Sequence, residues 1–203
     1  IKKEEIEKKL DERNVNDYDD IRFIVYSVVR KTALKKTPDI VEIAIFGNVE
    51  DKLKFAKENF DKELNIEDFF YSGQLIDVRS VTKGHGFTGP VKRFGIHLRQ
   101  KKSEKGQRRP GTLGPWHPAR VTFRAHLAGQ KGFFTRLNYN SKILNIGKNP
   151  NLEFKNYGRI RTSYIIVKGS VSGPAKRQLF LTKALRESKD TLKEKFDFLN
   201  VII

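Results

Sequence analysis

The chain has 203 residues and carries 41 lysines and arginines against 24 acids, a formal charge of +17. It has no cysteine, which excludes disulfides and thiolate chemistry. No run of 18 apolar residues is present to span a membrane as a helix, and no secretory signal opens the chain.

The length suits one domain with an insertion, or two small domains. Methionine is absent, including at the first position, which suggests a chain that begins inside a longer one. Residues 1–20 are mixed in charge. Ile6 and Leu10, four apart, suit a short helix, and Asp17 to Asp20 suit a loop. Residues 21–29 (IRFIVYSVV) are β-branched or aromatic on both alternating faces, the pattern of a buried strand. After a basic turn at Lys35, Lys36 and Pro38, residues 40–46 (IVEIAIF) form a second strand, broken by Gly47-Asn48. Asn48 is placed to cap a helix whose first turn holds Glu50 and Asp51, with Leu53, Ala56, Phe60 and Leu64 recurring along it. Residues 1–78 hold fourteen bases against eighteen acids, a net −4. The sign of the charge reverses near residue 79, and a functional boundary is expected there.

Residues 75–81 (LIDVRSV) form a strand. Residues 79–142 then hold fifteen lysines and arginines and one acid, Glu104, a net +14. A solvated face would normally carry carboxylates among its cations; this segment repels itself unless a polyanion neutralises it. The spacing Gly84-x-Gly86-x-x-Gly89 formally matches a dinucleotide-binding turn. It is rejected because Pro90 and Val91 stand where the helix should open and no acid lies near position 110. A glycine hinge flanked by Lys83, Lys92 and Arg93, letting backbone approach phosphate, is the better reading.

Residues 99–120 crowd Arg99, Lys101, Lys102, Lys105, Arg108 and Arg109 around three prolines and three glycines, which excludes long helix and central strand. Free in water, such a segment is expected to be disordered. Pro115-Trp116-His117-Pro118 puts a flat indole on this basic loop, a natural stacking group for a base. The opposing expectation is that Trp116 folds back into a core. Residues 121–147 alternate apolar patches with Arg124, His126, Lys131 and Arg136. At least one of Phe133 and Phe134 is expected in the core, and Ile143, Leu144 and Ile146 form a strand ended by Gly147. Asn156-Tyr157-Gly158 is a turn, TSYIIVKG a strand, Gly169 to Pro174 another turn, and QLFLTKAL a strand after Ala175-Lys176-Arg177. Short strands separated by Gly/Pro turns suggest a small barrel. Residues 186–203 read as a charged helix and an apolar tail.

A catalytic constellation is missing from the pattern. His85, His97, His117 and His126 lack metal-ligand spacing and sit among cations. A nucleophile elbow is absent, and the carboxylates lie mostly in the acidic first third rather than paired to hold metal ions. We expect no cofactor, no metal and no small-molecule substrate.

Four ordered segments carry a family resemblance: GHGFTGPVKRFG, PGTLGPWHPARV, AGQKGFFTRLNYNSKILNIG and NYGRIRTSYIIVKGSVSGPAKR. They resemble the large-subunit ribosomal protein L-three family (universal uL-three), archaeal/eukaryotic type, over residues 20–185. TPDIVEIAIFG and the helix after it resemble that branch's insertion domain. One departure is TFRAHLAGQK, where other members often carry methionines; the change adds charge. The amino-terminal barrel strands of the family are missing, as in an incomplete chain.

The resemblance implies a mainly β fold with an α+β insertion, in which a small translation-factor-like barrel carries a long basic loop. It places the α/β insertion domain and its preceding helix or loop at 1–70 and the barrel at 71–92 and 133–185. The extended RNA-penetrating loop falls at 93–132 and a tail at 186–203. It implies a non-enzymatic constituent of the large subunit of the cytoplasmic ribosome. Such a protein binds large-subunit ribosomal RNA, touches neighbouring ribosomal proteins, supports assembly and reaches toward the peptidyl-transferase region. Carried over by position, Trp116 and His117 sit at the loop tip, Arg108, Arg109 and Arg120 on its arms, and Lys83, Lys92, Arg93, Lys131 and Arg136 at its base. His85, Arg99, Lys101, Lys102 and Arg124 complete the expected RNA-binding set. The alternatives are a free-standing RNA or DNA chaperone using the same loop, and a metal-dependent enzyme acting on nucleic acid.

Overall fold

A computed structural model describes residues 18–60, 62–148, 152–199 and 201. The short helix expected around Ile6 and Leu10 lies outside them. In chain order the elements are β1 Arg22–Tyr26, α1 Val29–Thr32, β2 Ile40–Ala44, α2 Val49–Asn59, β3 Leu75–Val81, β4 Phe87–Thr88 and α3 Pro90–Phe94. There follow β5 Gly129–Gln130, β6 Thr135–Gly147, β7 Glu153–Phe154, β8 Gly158–Arg159, β9 Tyr164–Val167, β10 Phe180–Lys183 and α4 Lys189–Lys193. A 3-10 turn at Ile66–Asp68 precedes β3. The protein is mainly β. Its described strands form one four-stranded sheet, of order β10-β3-β6-β9, and three two-stranded ones; a closed barrel is not among them.

The chain divides into two compact units. One comprises Ile1–Leu75, Lys142–Lys168 and Ser188–Ile203, the other Ile76–Ser141 and Gly169–Glu187. In the first unit β1 and β2 pair antiparallel, from Arg22↔Ala44 to Tyr26↔Ile40. The expectation that β1 is buried is corrected here. Phe23 and Val25 are half-buried while Arg22, Ile24 and Tyr26 are exposed. The cause is the sheet: two strands have one covered face, and the Phe23 ring meets Phe55 of α2 at 6.0 Å between centroids. Asp20 fastens the start of β1, accepting from Lys52 of α2 and from Arg22. Those two cations hold its carboxyl down to about 2.

Asn48 occupies the N-cap of α2 with Glu50 and Asp51 in the first turn, but its side chain makes no capping bond. The helix also stops a turn early. Phe60 is already extended and Leu64 is exposed beyond it, so the expected four-residue spacing overshoots. Asn59 ends the helix, its side-chain amide turning back to donate to the Phe55 carbonyl at 3.0 Å, the local competition that disfavours Asn in helix interiors. Later in this unit β6 pairs with β9 from Ile143↔Val167 to Gly147↔Tyr164, with a bulge between Ile143 and Asn145. The expected turn at Asn156 joins β7 to β8, with Asn156 in the left-handed region at φ 61.

Among the described residues of the charged tail one short helix forms, α4, capped by Ser188. Its C-terminal end is held by Lys142. That ammonium is 2% exposed and donates to the carbonyls of Thr191 (2.7 Å), Leu192 (3.1 Å) and Glu194. Carbonyls at a helix C-terminus have no intrahelical donor, and a cation there satisfies them and complements the helix dipole.

In the second unit β3 has the expected bounds and pairs with β10 from Arg79↔Phe180 to Ile76↔Lys183. Ile76, Asp77 and Val78 are all buried, as suits a central strand. Asp77 is 1% exposed and, among the described residues, forms no ion pair. Its two carboxylate oxygens accept backbone N–H groups instead, from Asn140 at 2.9 Å and Leu185 at 3.2 Å. It thereby ties β6 and the chain after β10 to β3.

Candidate nucleic-acid interface

Within the second unit the long basic loop begins and ends at a hydrogen-bonded neck. Residues 82–88 run against 129–134. Thr82 N donates to Phe134 O (2.9 Å), Phe133 N to Lys83 O (3.2 Å), His85 N to Lys131 O (3.0 Å) and Lys131 N to Gly86 O (2.9 Å). The β4–β5 pair, Phe87↔Gln130 and Thr88↔Gly129, extends it. Gly132 is required here: a Cβ at this position would stand 1.8 Å from the Lys83 carbonyl oxygen.

Helix α3 follows the glycine run. Contrary to expectation, Pro90 and Val91 do not prevent a helix: α3 opens at Pro90 with Gly89 as N-cap. Proline lacks an N–H that the first turn would leave unbonded anyway, and its fixed φ suits that turn. The helix is only five residues long, and β4 lies between Gly86 and Gly89, so the strand–turn–helix of a dinucleotide site is not formed.

Arg93 of α3 reaches across the neck. Its Nη1 donates to Leu127 O (2.9 Å) and its Nε to Gln130 O (3.2 Å). The guanidinium crosses Gly129 so closely that a Cβ there would be 2.8 Å from Nη1. Lys131 returns the clasp by donating to Lys92 O. Between Phe94 and Gly129 the chain forms no helix or strand, as its prolines and glycines dictate. Arg99 braces this loop from within, donating to Pro110 O at 2.6 Å.

The fifteen expected RNA-binding residues therefore fall into two groups. Lys83, His85, Lys92, Lys101, Lys102, Arg108, Arg109, Trp116, His117, Arg120, Arg124 and Arg136 are exposed. Arg93, Arg99 and Lys131 are half-buried and bonded to backbone carbonyls, so the structure gives them a framework role that charge alone does not reveal. Among the described residues, every ion pair lies outside 79–142, so the exposed cations face no carboxylate.

Trp116 is 86% exposed, which overturns the core alternative. It lines an open hollow of about 320 Å³ made wholly by its own loop, from Leu113 to Val121. The His117-Pro118 bond beside it is cis. The expectation that Phe133 or Phe134 enters the core also fails: they are 66% and 39% exposed. Each has an arginine against its ring, Arg177 at 5.8 Å for Phe133 and Arg136 at 5.1 Å for Phe134. Arg177 was missed by sequence reasoning, since it follows a distant turn and only the fold brings it to the neck. His126 packs edge-on against Phe94 at 4.8 Å. Among the described residues no cluster of histidine and acid is arranged to hold a metal ion.

The family profile described as Ribosomal protein L3 matches residues 2–200. The chain belongs to the ribosomal protein L3 family. It is 44% identical to the large ribosomal subunit protein uL3 of Methanococcus aeolicus over 180 residues, 84% of this chain and 54% of that protein. With the uL3 of Methanocaldococcus jannaschii it shares 41% over 208 residues, covering 95% and 62%. With that of Archaeoglobus fulgidus it shares 39% over 210 residues, covering 99% and 62%. The chain thus spans between 54% and 62% of the length of these ribosomal protein L3 relatives, which are named as large-subunit proteins and not by an enzymatic activity.

Proposed function

We propose that the chain is a structural, RNA-binding component of the large subunit of the cytoplasmic ribosome, without catalysis of its own. It contacts large-subunit ribosomal RNA and neighbouring ribosomal proteins and supports subunit assembly. The loop over 93–132 penetrates RNA and extends toward the peptidyl-transferase region. Residues 71–92 and 133–185 form the barrel-derived body that carries the loop, and the α/β unit within 1–70 serves as an insertion domain. The observation that carries this reading is the exposed cation array on the neck and loop, which holds Glu104 as its single acid and, among the described residues, makes no ion pair. Such an array is costly to assemble alone and is relieved by phosphate.

The test is the salt dependence of binding to a large-subunit RNA fragment. Each phosphate neutralised contributes about −0.7 to −0.9 to the log–log slope. With many exposed cations engaged, the slope should reach a magnitude of roughly 5 or more. A flat response between low and physiological salt overturns the reading. Retention on large subunits through a high-salt wash, at one copy per subunit, separates it from a free-standing chaperone.

A further inference from the structure

Three short segments of the second unit meet beside the neck. Close passage of Gly132 against the Lys83 carbonyl forces the chain into a kink. Phe133 follows at φ 58, in the left-handed region, where a bulky L-residue is strained. Its N–H donates to Lys83 O at 3.2 Å and fixes the kink. The third segment is the turn leading to Arg177. Asn138 holds it, donating through Nδ2 to Ser170 O (3.2 Å) and accepting from Ser172 Oγ (3.3 Å). Gly173 lies so near β3 that a Cβ there would be 2.9 Å from the Val81 carbonyl oxygen. Lys176, a second left-handed residue at φ 65, then delivers Arg177 to the Phe133 ring.

A large apolar ring is unfavourable here on two counts. The backbone is strained, and the ring is 66% exposed, so core packing does not compensate. Asparagine would hold the same backbone with less strain. What phenylalanine adds is a flat face with Arg177 against it, Lys176 next to Arg177 in the chain, Lys83 across the kink, and the Arg136–Phe134 pair beyond. The acids of this unit are Asp77, buried and bonded, Glu104 in the loop, and Glu187 past β10; none lies on the three segments. A rim of cations without acids suits a ligand that brings its own negative charge next to a planar apolar group.

We propose that Phe133 is a stacking platform for one unpaired RNA nucleobase, with Arg177 and Lys176 taking the adjoining phosphates. The proposal rests on the RNA-binding reading above. It adds a site on the turn at 173–177, outside the basic segment. Stacking on an aromatic side chain is tolerant of sequence and needs an unpaired base.

The experiment compares the full chain with three variants, Phe133→Asn, Arg177→Gln and Trp116→Phe/Phe133→Trp. The probes are a short labelled oligouridine and a blunt RNA duplex. Phe133→Asn should lower oligouridine affinity about tenfold and leave duplex affinity unchanged, without lowering the melting temperature. Arg177→Gln should lower oligouridine affinity several-fold. In the double variant the single indole should be quenched by oligouridine and not by duplex. If wild type binds both RNAs, yet Phe133→Asn changes neither affinity and the introduced indole is not quenched, the platform is wrong while the RNA-binding reading stands. If wild type binds neither RNA, the RNA-binding reading fails and takes the platform with it.

Discussion

Asp77 and Lys142 show how far the meaning of a charge depends on its partner. Asp77 looks in sequence like any alternate polar position of a strand, yet it is buried and answered by two backbone N–H groups. Asp77→Ala leaves both donors without an acceptor, and each unsatisfied buried group costs about 1–3 kcal/mol. Urea denaturation should therefore show a loss of about 2–4 kcal/mol. A loss under about 0.5 kcal/mol would mean that water replaces the carboxylate. Lys142 entered the charge count of residues 79–142, but its ammonium is spent on carbonyls. Arg93, Arg99 and Lys131 repeat the lesson. The charge of the segment was legible from its sequence; which cations remain available to RNA was not, because carbonyl partners leave no trace in composition.

At the scale of elements, strands bounded by turn residues were read well. β3, β9 and β10 stand where the β-branched runs and Gly/Pro turns put them. Their burial was read less well, because alternation says which residues share a face and not whether that face has a cover; β1 is the clear case. The expected length of α2 overshot because apolar spacing continues past Asn59, where a local side-chain bond ends the helix. Helix α4 is the element most dependent on one residue. Five residues are far below the length at which a helix is stable alone, so α4 persists through Lys142 and its Ser188 cap. Lys142→Met keeps the apolar stem and removes the donor. Hydrogen bonds to a charged group contribute about 1.5–3 kcal/mol. Amide exchange across 191–196 should therefore accelerate by about tenfold or more, with Ile76 to Val78 unchanged. Equal acceleration at both places would show that Lys142 supports the whole sheet instead of the helix.

Across the whole molecule, charge and order are distributed in opposite senses. The deepest side chains lie on β3 and β6, whereas the exposed cations gather on the neck and on a loop that builds no helix or strand. Cations and the exposed indole should contribute to RNA binding in distinguishable ways. Trp116 is 86% exposed, so Trp116→Ala should leave the melting temperature unchanged. Stacking on a base, the role proposed for it, is not electrostatic. Losing it costs about 1–3 kcal/mol at every salt concentration and should shift the log affinity–log salt line downward without tilting it. If Arg108 and Arg109 each neutralise a phosphate as proposed, Arg108→Ala and Arg109→Ala should each lessen the slope by about 1, with effects that shrink as salt rises. Parallel lines for Trp116→Ala beside tilted lines for the arginine variants would assign stacking to the indole and neutralisation to the arms. A tilted line for Trp116→Ala would mean that the indole acts by holding the loop's cations in place.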